Sequence, residues 1–261
     1  MHLPTPEHPL DSPAQRNADR RRLLRALNAS LAFVLLLAAV FAAQGQFDTA
    51  AWTVTPGSTA GLLGLLTAPL LHGSVEHLAA NAISLLLLGT LAGAVYPRAT
   101  LRAVPLLWLG SGFGAWLLGD PGSHHLGASG LTHGLMFLVF VLGVLRRDRP
   151  SIAAAMIAFL LYGGMLLTVL PREVGVSWQS HLGGAVAGVL AAWLWRRRDP
   201  LPVRKRYSWE DEDEAQAAAD AATRDALEPP SPNGVPVIWQ RPDATDERGV
   251  VLEFRPRGRG R

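Results

Sequence analysis

The chain of 261 residues has no cysteine, one lysine, and no aspartate within any of its long apolar runs. The first absence excludes disulfides, iron–sulfur clusters and thiolate-ligated zinc. The last excludes paired membrane aspartates as catalytic acids. Charge is also scarce: 17% of residues are charged against 49% hydrophobic. That balance is too apolar for an ordinary soluble domain and predicts a polytopic membrane protein with soluble ends. The net charge of +3 does not point to nucleic acid, because the arginines flank apolar segments. The first apolar run follows a polar stretch of about 25 residues and lacks a small-x-small exit, so it reads as a span rather than a cleaved signal.

A hydrocarbon core about 30 Å thick needs roughly 20 apolar residues of helix. Six segments are read as spans: Ala26–Ala43, His77–Val95, Ala103–Gly119, Ser129–Leu145, Ser151–Leu170 and Ser177–Trp195. The apolar stretch Gly57–Leu71 is short and broken by Gly61, Gly64 and Pro69, and reads as an interfacial or re-entrant piece. With six spans, Arg16–Arg25, Arg98, Arg102, Arg146–Arg149 and Arg196–Arg206 share one side, and Arg172 stands alone on the other. A seventh span would split the basic residues, so the positive-inside rule favours six, with both termini cytoplasmic in the plasma (inner) membrane. The expected organisation is a disordered segment over 1–25, a six-helix domain over 26–198, and a mostly disordered tail over 199–261. Within the tail, an acidic run at Glu210–Glu214 leads into an Ala-rich stretch to Leu227 with the makings of a short helix. Val235–Trp239 and Val250–Phe254 are short β-like runs.

Polar residues inside a bilayer are costly and mark function by default. Every even span enters from the outer side, so His77 and Asn81, then Ser129, then His181 fall in one outer layer. Ser129 lies in Gly127-Ala128-Ser129-Gly130, a small-residue turn of the kind that presents a nucleophile. Gly130 and Gly134 on span four, and Gly184 and Gly188 on span six, form two G-x-x-x-G faces. Such faces let helix backbones approach closely, which would bring the Ser129 hydroxyl to the His181 imidazole. A serine with a base near neutral pKa is a nucleophile. His77 and Asn81, four residues apart, share a helix face and offer two donors for an oxyanion. Together these residues read as a Ser–His hydrolase opening to the outer face.

Each residue alone has a plainer reading: Ser129 as a helix cap, His181 as a packing residue, His77 and Asn81 as a helix bridge. Their common depth favours the site. His72, His124 and His125 read as interfacial loop residues, and His133, one turn below Ser129, as a packing partner of the His181 imidazole. His72, Glu76, His77 and His181 lack the H-E-x-x-H spacing of a helical zinc site, so no metal or other cofactor is expected. A transporter would place its polar groups nearer the midplane.

The pattern His72-x4-His77-x3-Asn81, the turn Gly127-Ala128-Ser129-Gly130 and the run His181-x2-Gly184-x3-Gly188 resemble, in order, the three motifs of the rhomboid intramembrane serine proteases. The resemblance covers about Ala26–Trp195. It implies an all-α, six-transmembrane-helix rhomboid-like bundle, with Ser129 as nucleophile, His181 as general base, and His77, Asn81 and the Ser129 backbone N–H as oxyanion hole. Gly127, Gly130, Gly134, Gly184 and Gly188 would support the packing. Single-span membrane proteins would enter past span five, under a cap formed by Pro171–Ser180, and be cut in or beside their transmembrane helix after a small residue. An inactive relative that binds transmembrane helices and controls their trafficking or turnover is the alternative. The oligomeric state is left open. Two departures stand out: His133 occupies a position often aromatic in the family, and the first outer loop has Trp52-Thr53 where many members carry Trp-Arg.

Overall fold

A computed structural model of the chain describes residues 13–172, 175–200 and 208–227. Among these the only extended pairing is an isolated bridge between Val54 and His125, and the rest of the regular structure is helical. The main helices are α1 (Pro13–Ala43), α2 (Val75–Val95), α3 (Pro97–Leu118), α4 (Ser129–Arg146), α5 (Arg149–Tyr162) and α6 (Trp178–Trp195). Short helical turns over Ala60–Leu70 carry the chain between α1 and α2, where the sequence predicted an interfacial or re-entrant piece. A separate unit, residues 205–261, contributes α7 (Ser208–Leu227). Its Ala-rich composition favours helix, and Glu210 and Asp211 in its first turn with Arg224 in its last complement the helix dipole.

By length and composition, α1 through α4 can each cross a membrane. The fifth expected span is broken. Its helix ends at Tyr162, the pair Gly163-Gly164 interrupts it, and a single turn, Met165–Thr168, follows. Two glycines in succession lack the side chains that favour continued helix. The sixth is 18 residues long but diluted by Gln179, Ser180, His181 and glycines.

Helix α1 begins at Pro13, within the segment expected to be disordered. Proline is well suited to a first helical turn, and the following Arg, Leu and Ala residues are strong helix formers, so α1 runs without a break into the apolar segment. At the other boundary, Asp199 is tied to the bundle. Asp199 is buried, and its carboxylate accepts the backbone N–H groups of Arg98 and Ala99 at 2.9 Å each. It thereby caps α3 from the far end of the chain. The remaining tail positions, including both β-like runs, and residues 1–12 lie outside the described residues.

Helix α4 is the centre of the bundle: 61% of its apolar window is buried, against 11% for α1. Its Leu135, Leu138, Val139 and Leu142 meet Leu88 and Ala92 of α2, Leu107 of α3, Ala154 and Ala158 of α5 and Ala191 of α6. Helix α6 packs most closely against α3 and α4, and glycine explains both contacts. A Cβ at Gly184 would fall on the Gly130 carbonyl, and one at Gly188 on the Gly134 carbonyl. On the other side of α6, a Cβ at Gly183 would fall on the Gly110 carbonyl, and one at Gly110 would come within 2.6 Å of the Ala187 methyl. The α4 seam was legible as G-x-x-x-G. The α3 seam, with Gly110 and Gly114 at the same spacing, is a further finding.

Candidate active site

The N-terminal ends of α2, α4 and α6 surround a cavity of about 1150 Å³ whose lining includes His77, Asn81, Ser129, His133 and His181, together with Pro171, Arg172 and Ser177. Helix α4 begins at Ser129, so the N–H groups of its first turn have no intrahelical acceptors and stand beside the serine hydroxyl. The turn before it requires glycine: Gly127 has φ +111°, and a Cβ there would lie 2.6 Å from the His77 ring. The Gly127 N–H donates to the Ala68 carbonyl at 2.9 Å, fixing the turn to the short helices of Ala60–Leu70.

Ser129 Oγ and His181 Nε2 are 2.9 Å apart. His181 Nδ1 lies 3.0 Å from the Thr168 carbonyl oxygen, which can only accept. Nδ1 therefore carries the proton, and Nε2 of the neutral ring accepts from the serine hydroxyl. The acceptor comes from the single turn after the Gly163-Gly164 break, where terminal carbonyls are free of helix partners. Among the described residues no carboxylate is hydrogen-bonded to Ser129 or His181.

The His133 ring stacks on His181 with centroids 3.8 Å apart and planes inclined by 11°. Its Nδ1–H donates to the Ser129 carbonyl at 2.7 Å, and its Nε2 accepts from the Thr168 hydroxyl at 2.8 Å. An aromatic hydrocarbon could supply the stack but neither hydrogen bond. Thr168 thus holds both imidazoles, one through its carbonyl and one through its side chain. The sequence reading did not identify it; the Gly-Gly break just upstream was the available signal. Ser111 and Ser180 were missed as well. Their hydroxyls share a buried 2.8 Å hydrogen bond between α3 and α6, against Gly130.

His77 is half-buried against Gly127. The Asn81 amide donates one N–H to the His77 carbonyl at 3.1 Å, which leaves its second N–H. Both side chains line the cavity with Ser129. His72 is fully buried, with its ring edge-on to His77 at 5.1 Å. Its backbone is clamped by the Gln44 amide, which donates to the His72 carbonyl at 2.8 Å and accepts its N–H at 2.9 Å. Burial, reinforced by His77, lowers the His72 pKa to about 4. His125 ties two outer loops together: its Nδ1 is 2.7 Å from Ser177 Oγ and its Nε2 2.9 Å from Ser123 Oγ. Burial lowers its pKa too. His124 lies 2.9 Å from the Thr53 hydroxyl. Without the Trp-Arg pair, the first outer loop is anchored by α3, whose Trp116 and Trp108 indoles donate to the Ser58 and Leu66 carbonyls at 2.9 and 3.1 Å. Among the described residues no group of three or more His, Asp or Glu converges as metal ligands would.

An all-helical membrane protein with a serine and a histidine paired near the N-terminal ends of two packed central helices is the class that fold and site define. More particularly, the chain belongs to the rhomboid family, whose Rhomboid domain matches residues 59–198. Uncharacterized proteins of Mycobacterium bovis and Mycobacterium tuberculosis are 42% identical to it over 149 residues, covering 54% of this chain and 62% of theirs. An uncharacterized protein of Mycobacterium leprae is 40% identical over 141 residues, covering 51% of this chain and 56% of its own. The chain therefore spans less than two thirds of the length of these curated relatives.

Proposed function

We propose that the chain is an intramembrane serine endopeptidase that cleaves single-span membrane proteins within or beside their transmembrane helix. One observation carries this reading: Ser129 Oγ lies 2.9 Å from His181 Nε2 while Thr168 fixes the opposite nitrogen, all within a cavity large enough for a peptide segment. Ser129 Oγ attacks the scissile carbonyl carbon as its proton passes to His181 Nε2. The imidazolium keeps its Nδ1–H on the Thr168 carbonyl. The carbonyl oxygen, now an anion, is met by the Ser129 N–H, His77 and the free Asn81 N–H. Collapse breaks the C–N bond, and His181 returns the proton to the leaving amine. Water then attacks the acyl-serine, giving its proton to His181; collapse breaks the bond to Ser129 Oγ, which takes that proton back as the acid leaves.

The topology that goes with this reading has six spans and cytoplasmic termini in the plasma membrane. The fourteen residues of α5 reach only about 21 Å at 1.5 Å per residue, so the turn Met165–Thr168 completes that crossing. A substrate helix enters past α5; of the expected cap Pro171–Ser180, positions 173 and 174 lie outside the described residues, and Pro171, Arg172, Gly175, Val176 and Ser177 border the cavity. The test is reconstitution of the purified protein with a tagged single-span substrate. Wild type should release a fragment and Ser129→Ala should not. Equal release by both would refute the proposal, and substrate association without any product would indicate a helix-binding protein instead.

A further inference from the structure

A second cavity, about 720 Å³, lies between α1 and α3, and its lining includes neither Ser129 nor His181. Its origin is a close crossing elsewhere. Gly89 and Gly93 of α2, four residues apart, receive α1 so tightly that their Cβ positions would lie 2.6 Å from Ser30 Oγ and 2.9 Å from the Ala26 methyl. Held on α2, α1 stands away from α3, and the gap between them is floored by Leu131 and Leu135 of α4. The gap is shaped at both ends. Towards the membrane interior the Phe33 and Trp108 rings meet across it, centroids 5.7 Å apart. At the other end, Arg22, Arg25 and Arg98 form its rim. From rim to aromatic pair the helices advance eight to eleven residues, about 12–16 Å.

An apolar slot with a cationic mouth at the cytoplasmic boundary matches one kind of molecule: a lipid whose acyl chain fills the slot and whose anionic phosphate headgroup meets the guanidiniums. We propose that this groove is a binding site for an anionic phospholipid of the inner leaflet. The placement of its rim rests on the orientation argued above. The charges at the mouth permit it. Arg22 has only a loose surface pair with Asp19, at 3.7 Å, and Arg25 spends its Nε–H on the Arg21 carbonyl, leaving its terminal nitrogens. Asp199, the acidic residue at the rim, has both oxygens occupied by backbone N–H groups of α3. None of these residues touches the proposed catalytic layer, so the two proposals fail independently.

The experiment is native mass spectrometry of the protein released from nanodiscs of mixed phosphatidylglycerol and phosphatidylcholine. Each arginine near the surface favours an anionic lipid roughly fivefold, so wild type should retain phosphatidylglycerol over phosphatidylcholine by about tenfold or more. The triple variant Arg22→Gln/Arg25→Gln/Arg98→Gln should lose that preference. Ala29→Trp, which plugs the slot and keeps all three arginines, should lose the bound lipid as well. Equal retention of the two lipids by wild type would overturn the proposal. So would a phosphatidylglycerol preference that survives Ala29→Trp, since surface charge alone would then account for it, or a wild-type dimer that Ala29→Trp dissociates, since a second copy would then be the occupant.

Discussion

The two ends of the bundle are built from different chemistry. At the Ser129 end, the contacts around the site run through neutral groups: Ser129 to His181, His133 to Thr168, Ser111 to Ser180, Asn81 to the His77 backbone. At the Arg146 end they are ionic. Arg146, almost completely buried, pairs with Asp148 at 3.2 Å and donates to the carbonyls of Arg196, Asp199 and Pro200, while its guanidinium lies over the Tyr96 ring at 5.6 Å. Charged hydrogen bonds are stronger and more rigid than neutral ones, and they suit an end that only has to stay closed. Neutral groups can pass a proton and return it, and they can be wetted below the membrane surface at lower cost than charges. Fixed charge thus gathers at the Arg146 end, and groups able to exchange a proton gather around Ser129.

The contrast can be broken at several points. The largest effect is expected at the Ser129 end: Ser129→Ala should lower fragment release by about 10⁴-fold or more, with the thermal midpoint in detergent unchanged. Next is the seam beneath it. Gly184→Val puts carbon where the Gly130 carbonyl sits, and should cost about 3 kcal/mol or more, read as a collapse of the midpoint together with activity. At the Arg146 end, Asp199→Ala removes the cap of α3 and should cost about 1–2 kcal/mol while leaving kcat of the folded protein near wild type; a large loss of kcat would erase the distinction between the ends. His133→Ala, which removes the stack on the base, should slow cleavage by about tenfold. His133→Phe, which restores the ring but not its two hydrogen bonds, should recover part of that loss, and a failure to recover any would place the whole effect in the hydrogen bonds. The smallest is a pH effect. The fold holds His72 neutral, so the unfolded chain gains a proton below about 6.5 that the folded chain does not take up until about 4. The stability that depends on a neutral His72 is complete above that window and falls as pH drops through it, by roughly 2–4 °C of midpoint per kcal/mol. His72→Phe should flatten the curve.

The sequence made the centre of the site legible because its requirements repeat in simple spacings. Glycines four apart declare a close crossing, and charge bias fixes which ends of the helices share a depth. Those two facts bring Ser129 to His181, and His77 to the Ser129 turn. What stayed hidden depended on backbone. Thr168 acts through a carbonyl, which every residue has, so no residue type announces it. Asp199 caps a helix that begins about a hundred positions earlier, and only the folded chain makes them neighbours. The α3 seam was written in the same Gly-x-x-x-Gly pattern as the α4 seam, but Gly110 and Gly114 carry no polar residue at site depth to draw the eye. The helix over 13–25 was not anticipated, although the arginines and leucines there are strong helix formers.

The interruption at Gly163-Gly164 has a mechanical consequence. The single turn that follows it carries, on its last residue, both the carbonyl that holds the proton of His181 and the hydroxyl that meets His133. Displacing Thr168 would release both imidazoles at once. If the chain cleaves as proposed, a guest helix passing α5 would find the base aligned only while that turn stays in place.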